Sequence, residues 1–127
     1  MILDTSFLLD LKDGDGAAFE KGVEIHERIQ RIVLVTVAEL HFGVEYTDSE
    51  VERRRVENLL SMYLVVVPRE AAARRADELR TRAAREHDRD VGTADAMVGA
   101  VANLHGEPVV TADVDDFEAL GVDIETC

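Results

Sequence analysis

The stretch Ile32-Val33-Leu34-Val35-Thr36-Val37-Ala38-Glu39-Leu40-His41-Phe42-Gly43 decides the fold class. Its first four residues form a continuous apolar run dominated by β-branched side chains. That composition belongs to a strand covered on both faces, as parallel strands are beneath crossover helices. Thr36 then stands where a helix needs an N-cap, and Glu39 completes a Thr-x-x-Glu capping box. A strand is therefore expected over 32–35, with a helix running on from Thr36.

The same unit repeats outward in both directions. Toward the N-terminus, residues 1–4 read as a short buried strand ending at Asp4, followed by a helix over 6–12 with Ser6 near its start. Asp13-Gly14-Asp15-Gly16 is a turn, and residues 17–30 place Phe19, Val23, Ile25 and Ile29 at roughly helical spacing. Toward the C-terminus a helix is expected over 49–61, then a strand over 63–67 that Pro68 ends. A long helix rich in alanine and arginine covers 69–88, and Asp90-Val91-Gly92 breaks it. A small-residue helix runs from Thr93 to Leu104, His105-Gly106-Glu107-Pro108 is a turn, and Val109-Val110 is a strand. A short helix over 115–120 and a last strand over 122–124 complete the order. Alternation of this kind gives an α/β fold with a central, mostly parallel sheet of about five short strands flanked by helices. Residues 1–127 are expected to form one domain.

Composition narrows the class. Apolar residues make up 46% of the chain, enough for a core, so global disorder is excluded. No apolar run is long enough to span a bilayer and no leader precedes the first strand, so a cytoplasmic protein is expected. Cys127 is the only cysteine, which rules out an internal disulfide and a cysteine metal site. The net charge is -13, which by itself argues against nucleic acid. Its distribution argues otherwise: from Arg53 to Arg89 ten arginines face six acids. This basic segment on an acidic body is a candidate RNA-facing surface. It is equally well read as a solvated helix face with ion pairs such as Arg74–Glu78 and Arg82–Glu86. Lysine is confined to Lys12 and Lys21, and an acidic, lysine-poor surface has the composition of a salt-adapted protein.

Four acids carry the chemistry: Asp4, Glu39, Asp95 and Asp113. Each has a bland reading. Asp4 could start an Asx-turn, Glu39 could only cap its helix, and Asp95 suits a helix N-terminus. Asp113 could sit with Asp115 and Asp116 in a solvated turn. Yet each adjoins an apolar element, where a lone carboxylate is costly. In open α/β sheets ligands bind beyond the carboxyl ends of the strands. Topology puts Asp4, Glu39 and Asp113 at that edge and leaves Asp95 free to join them. The economical counter-charge is a divalent cation, and hard oxygen ligands select Mg²⁺ or Mn²⁺. The four histidines, His26, His41, His87 and His105, are scattered and read as surface residues, so no zinc cluster is expected. A phosphoacceptor module would need paired acids after the first strand and a late lysine, and the chain has neither. A phosphatase built on Asp-x-Asp fails at Ser6. No Gly-x-Gly-x-x-Gly follows a strand, which sets aside a dinucleotide fold.

The sequence resembles the PIN domains, and among them the VapC-type ribonuclease toxins of toxin–antitoxin pairs. Four segments carry the likeness across the whole chain: Asp4-Thr5-Ser6 after an apolar start, Ala38-Glu39-Leu40 with Gly43, the helix-opening Asp95-Ala96-Met97-Val98-Gly99-Ala100, and Thr111 with Asp113, Asp116 and Phe117. Their order and spacing make the match specific where each alone is weak. The resemblance implies a metal-dependent endoribonuclease. Asp4, Glu39, Asp95 and Asp113 would hold Mg²⁺ or Mn²⁺, and Thr5, Ser6 and Thr111 would support them. Asp116 could share the last acidic position with Asp113 or bind through water. It further implies a homodimer and a small antitoxin partner. A catalytically inactive PIN-like RNA- or protein-binding module is the alternative.

Overall fold

A computed structural model describes all residues from Met1 to Cys127. Five parallel strands form the sheet: β1 (Ile2–Leu3), β2 (Arg31–Val33), β3 (Leu64–Val66), β4 (Val109–Val110) and β5 (Ile124–Glu125). They lie in the order β3-β2-β1-β4-β5. Seven helices connect and cover them: α1 (Thr5–Lys12), α2 (Gly16–Ile25), α3 (Leu34–Thr47), α4 (Glu50–Leu60), α5 (Glu70–His87), α6 (Thr93–His105) and α7 (Val114–Leu120). None of them is long and apolar enough to cross a membrane.

The strands are short, but side-chain alternation still assigns each residue a face. Ile2, Val33 and Val109 join one core cluster with Leu79, Ala83, Val98, Phe117 and Leu120. Leu3, Ile32 and Val110 turn to the other side and pack with Phe7, Leu8, Ile25, Leu40 and Val56. The sheet thus has helices on both faces, and the apolar strand pattern is explained. α6 is the innermost helix, with Ala96, Val98, Gly99, Ala100, Val101 and Ala102 all buried. Small residues let it approach α7 closely: a Cβ at Gly99 would lie 3.0 Å from Leu120 Cδ1.

Several boundaries differ from the sequence expectation, each for a tertiary reason. β2 ends at Val33, because its pairing with β3 runs only as far as the Val33–Val66 register. α3 therefore starts at Leu34 with Val33 at its N-cap, and no side chain caps it. Thr36 is buried inside the helix, so the capping box does not form. The last strand is Ile124–Glu125 because Ile124 pairs with Val109. Val122, expected in that strand, packs instead into the core beside Gly99. The helix expected over 17–30 stops at Ile25, and Phe19, Val23 and Ile29 of its apolar pattern lie exposed.

Candidate active site

Four chain segments meet at the carboxyl edge of the sheet. The first follows β1. Asp4 N–H donates to Val110 O at 2.9 Å, which extends the β1–β4 pairing by one step. Asp4 is then the N-cap position of α1, yet its side chain caps nothing. Its Oδ2 accepts from Ser6 Oγ at 2.7 Å and from Thr111 Oγ1 at 2.9 Å. Asp4 is only 3% exposed, so these charge-assisted bonds are what make its burial tolerable. Ser6 Oγ also accepts from Ala112 N at 3.1 Å, and Thr111 Oγ1 accepts from Asp113 N at 2.9 Å. Two hydroxyls thereby bind the β1–α1 turn to the β4–α7 turn.

Glu39 lies in the second turn of α3, one turn deeper than the sequence placed it, because the helix starts at Leu34. Its Oε1 accepts from Thr5 Oγ1 at 2.7 Å. Asp95 comes from the first turn of α6 and is half-buried. Asp113 is the N-cap residue of α7, again without a side-chain cap bond, and Asp116 lies in that helix's first turn. The carboxylate oxygens of Asp95, Asp113 and Asp116 lie within 4.8 Å of one another.

The electrostatics of this group are unbalanced. Burial, a hydrogen bond with Asp116, and the charges of Asp4, Asp116 and Glu39 push the Asp95 carboxyl up to about 7. Asp113 is raised as well, by burial first and then by the charges of Asp116 and Asp4. Of the four acids singled out in the sequence, Asp95 and Asp113 fall within this close cluster, while Asp4 and Glu39 lie outside it and bear on Asp95 through their charge. Asp116 belongs there too, while Asp115 is outside the group. The donors are carboxylate oxygens, with hydroxyls behind them and no histidine or cysteine among them. All four histidines lie on the surface. Such a set fits a hard divalent cation, and like-charge crowding of this degree is relieved by one.

Within the arginine-rich segment, Arg54, Arg69, Arg74 and Arg85 stay exposed, while Arg80 and Arg82 bind backbone carbonyls of neighbouring elements. Arg80 Nε donates to Val91 O at 2.8 Å and Arg82 Nη2 to Leu120 O at 3.1 Å. These two arginines fasten α5 to the segment before α6 and to the end of α7, the elements that carry Asp95, Asp113 and Asp116. The expected pairs Arg74–Glu78 and Arg82–Glu86 do not form. Arg74 pairs with Glu70 at 2.8 Å, and Arg75 takes Glu78 at 3.2 Å. Arg89, read in the sequence only as the end of the basic segment, brings its Nε to Asp116 Oδ1 at 2.6 Å. The only sequence signal for it is its place just beyond the end of α5.

The sequence model of the PIN domain matches residues 1–122 of the chain. The protein belongs to the PIN domain family. Within that family it is of the VapC type: the VapC ribonuclease Y4jK of Sinorhizobium fredii is 32% identical over 96 residues, which cover 71% of this chain and 69% of that protein. Solved structures share the fold of this PIN domain. DNA-bound VapBC from Salmonella typhimurium contains a chain 28% identical, with a TM-score of 0.80 over 98% of this chain and 96% of that one. VapBC2 from Rickettsia felis, bound to a DNA fragment from its promoter, superposes with a TM-score of 0.84 at 17% identity, over 99% and 97% of the two chains.

Proposed function

We propose that this PIN domain, taken as one unit over residues 1–127, is a metal-dependent endoribonuclease acting as the toxin of a toxin–antitoxin pair. One observation carries the reading: Asp95, Asp113 and Asp116 converge within 4.8 Å, and the charges of Asp4 and Glu39 bear on the same spot. In the proposal Asp4, Glu39, Asp95 and Asp113 hold Mg²⁺ or Mn²⁺, and Asp116 stands beside them. A cation so held supplies a water activated for attack on a phosphodiester and stabilises the charge that develops on phosphorus oxygens.

The chain's own groups prepare that site. Ser6 and Thr111 fix the rotamer of Asp4 through its Oδ2, and no hydrogen bond falls on Oδ1. Thr5 does the same for Glu39. The Asp95 carboxyl, raised to about 7 by burial and its acidic neighbours, is partly protonated near neutral pH. Ser6 Oγ and Thr111 Oγ1, 3.1 Å apart, keep the two turns in register so that the acids stay together.

The ribonuclease name of the Sinorhizobium relative supports RNA as substrate, and the VapBC structures support a small antitoxin partner. The surface has room for protein contacts. β3 is an outer strand whose Leu64 and Val65 stay exposed, as does Val67 just beyond it. A groove of about 620 Å³ is lined by Phe7, Leu11, Phe19, Val23, Met62 and Tyr63 and by none of the acids of the site. Apolar surface of this kind fits the antitoxin and a second copy of the chain.

The test is cleavage of total cellular RNA by the purified protein with Mn²⁺, with Mg²⁺ and with EDTA, beside Asp4→Asn. Discrete fragments that need the cation and vanish in the variant are expected. Equal fragmentation by the variant, or cleavage that survives EDTA, overturns the proposal.

A further inference from the structure

The connection between α5 and α6 carries a cation aimed at the acids. α5 ends at His87, and Asp88 takes the left-handed conformation, with φ 49 and ψ 42. The backbone N–H of Arg89 closes on the carbonyl of Ala83 at 3.3 Å. Two residues further on, Arg80 holds Val91 O. The backbone around Arg89 is therefore fixed from both sides. Its guanidinium Nε reaches Asp116 Oδ1 at 2.6 Å, while the arginine side chain stays 43% exposed. No other basic side chain pairs with Asp4, Glu39, Asp95, Asp113 or Asp116.

An arginine stays charged at any accessible pH, and it cannot be neutralised by its surroundings. An oxygen already taken by a charge-assisted bond is a poorer ligand for a second cation. A guanidinium beside a divalent ion also repels it. Asp113 has no such tether, for it makes no ion pair and its side chain caps nothing. The two neighbouring acids of α7 are thus unequal, one free and one held.

We propose that Arg89 is a positioning residue that works through Asp116. It occupies this carboxylate, competes with the divalent cation for it, and so sets the cation affinity while leaving Asp113 as the unencumbered acid of α7. The inference rests on the metal-binding reading above and adds to it the chain's own competitor.

Binding of Mn²⁺ to the full chain, followed by calorimetry or by the electron paramagnetic resonance of the free ion, tests this without any cleavage assay. Arg89→Gln should bind Mn²⁺ about fivefold more tightly, the factor that a half-exposed ion pair supplies. Arg89→Lys keeps the charge and should stay near the unsubstituted protein. In an Asp116→Asn background the same Arg89→Gln change should tighten binding by less than about twofold, the part that simple repulsion supplies. Unchanged or weaker binding by Arg89→Gln overturns the proposal. So does a gain of about twofold or more that persists in the Asp116→Asn background, because the effect would then be general charge and not Asp116. Arg89→Lys binding as tightly as Arg89→Gln overturns it as well. If the unsubstituted protein binds no Mn²⁺ at all, the metal-binding reading falls and takes this inference with it. Binding that Arg89→Gln leaves unmoved defeats only the role of Arg89.

Discussion

The chain keeps its partly buried acids in two opposite ways. Glu125, on the outer strand β5, accepts from Arg28 Nη2 at 2.6 Å and from Lys21 Nζ at 2.9 Å. The Arg28 bond foremost, with Lys21 behind it, holds that carboxyl down at about 2. Glu107, before β4, is drawn upward by burial, but Arg31 and the Met1 amine outweigh this and keep it below the usual range. At the carboxyl edge the same chemistry goes the other way. Asp95 rises to about 7, through burial first and then because its neighbours are acids. The two regions show two treatments of carboxylates, one with cationic partners in the chain and one with acidic neighbours. The first kind is matched by cations within the chain. The second is gathered with only Arg89 paired to it, and in the proposal above a divalent cation supplies the balance.

Exchanging one residue in each region should separate them most widely in activity. Asp95→Asn is expected to reduce metal-dependent RNA cleavage by at least about 100-fold, because a ligand to the activating cation is lost. Glu125→Gln should leave cleavage within about twofold, since its partners are structural. Initial rates on a defined RNA substrate decide it. Comparable losses in both variants would erase the distinction.

The next effect is on cation binding against pH. A cation needs Asp95 as the carboxylate, and below about 7 it must first displace a proton. Affinity for Mn²⁺ should therefore rise about tenfold between pH 6 and pH 8 and flatten above that. Asp95→Asn should remove most of this slope, and a slope that survives in the variant would assign the proton to another group.

Stability without metal should move in opposite directions in the two regions. The folded-state pKa of Asp95 lies above its ordinary 3.8, so the folded protein binds the proton more tightly than the unfolded chain. Stability then falls as pH rises from about 4 to about 7 and is level beyond. Glu125 is lowered from 4.5 to about 2, so its contribution is present above about 4.5 and is lost as pH falls toward 2. In EDTA at pH 8, Asp95→Asn should be more stable than the parent by about 2 kcal/mol, roughly half the unscreened value because the side chain is half-buried. Glu125→Gln should be less stable by about 1 kcal/mol. Denaturant unfolding measures both, and destabilisation by Asp95→Asn would make that acid a structural one.

The difference between the regions also explains what the sequence could and could not show. Asp4, Glu39 and Asp113 could be placed at one edge because each adjoins an apolar element whose end topology sends there, and Asp95 was only free to join them; the structure sets Asp95 and Asp113 close together. The order of helices and strands was legible for the same reason, from apolar runs and their punctuation. Strand limits were not, because Val33 and Ile124 are fixed by their partners Val66 and Val109, which are remote in the chain. Thr36 matched a local capping pattern that the sheet register overrode. Arg80, Arg82 and Arg89 were misread for a related reason. Arginines at helical spacing look like a solvated or RNA-facing stripe, and only the packing of α5 against α6 and α7 turns them toward Val91, Leu120 and Asp116. Asp116 itself stood among three nearby acids, and no spacing rule tells which of them turns inward.

The smallest expected effect tests the charge balance of the molecule as a whole. With a net charge of -13, self-repulsion should weaken the folded state at low ionic strength. One molar KCl shortens the screening length from about 10 Å at roughly 0.1 M to about 3 Å. The melting temperature in EDTA should therefore rise by about 3 °C between these salts. Screening does not act equally everywhere, however. It relieves repulsion among Asp95, Asp113 and Asp116 and weakens attraction between Glu125 and its two cations. Asp95→Asn should thus gain less from salt than the parent, and Glu125→Gln should gain more. Equal salt gains in all three proteins would place the repulsion in the diffuse surface charge and not in the acid cluster.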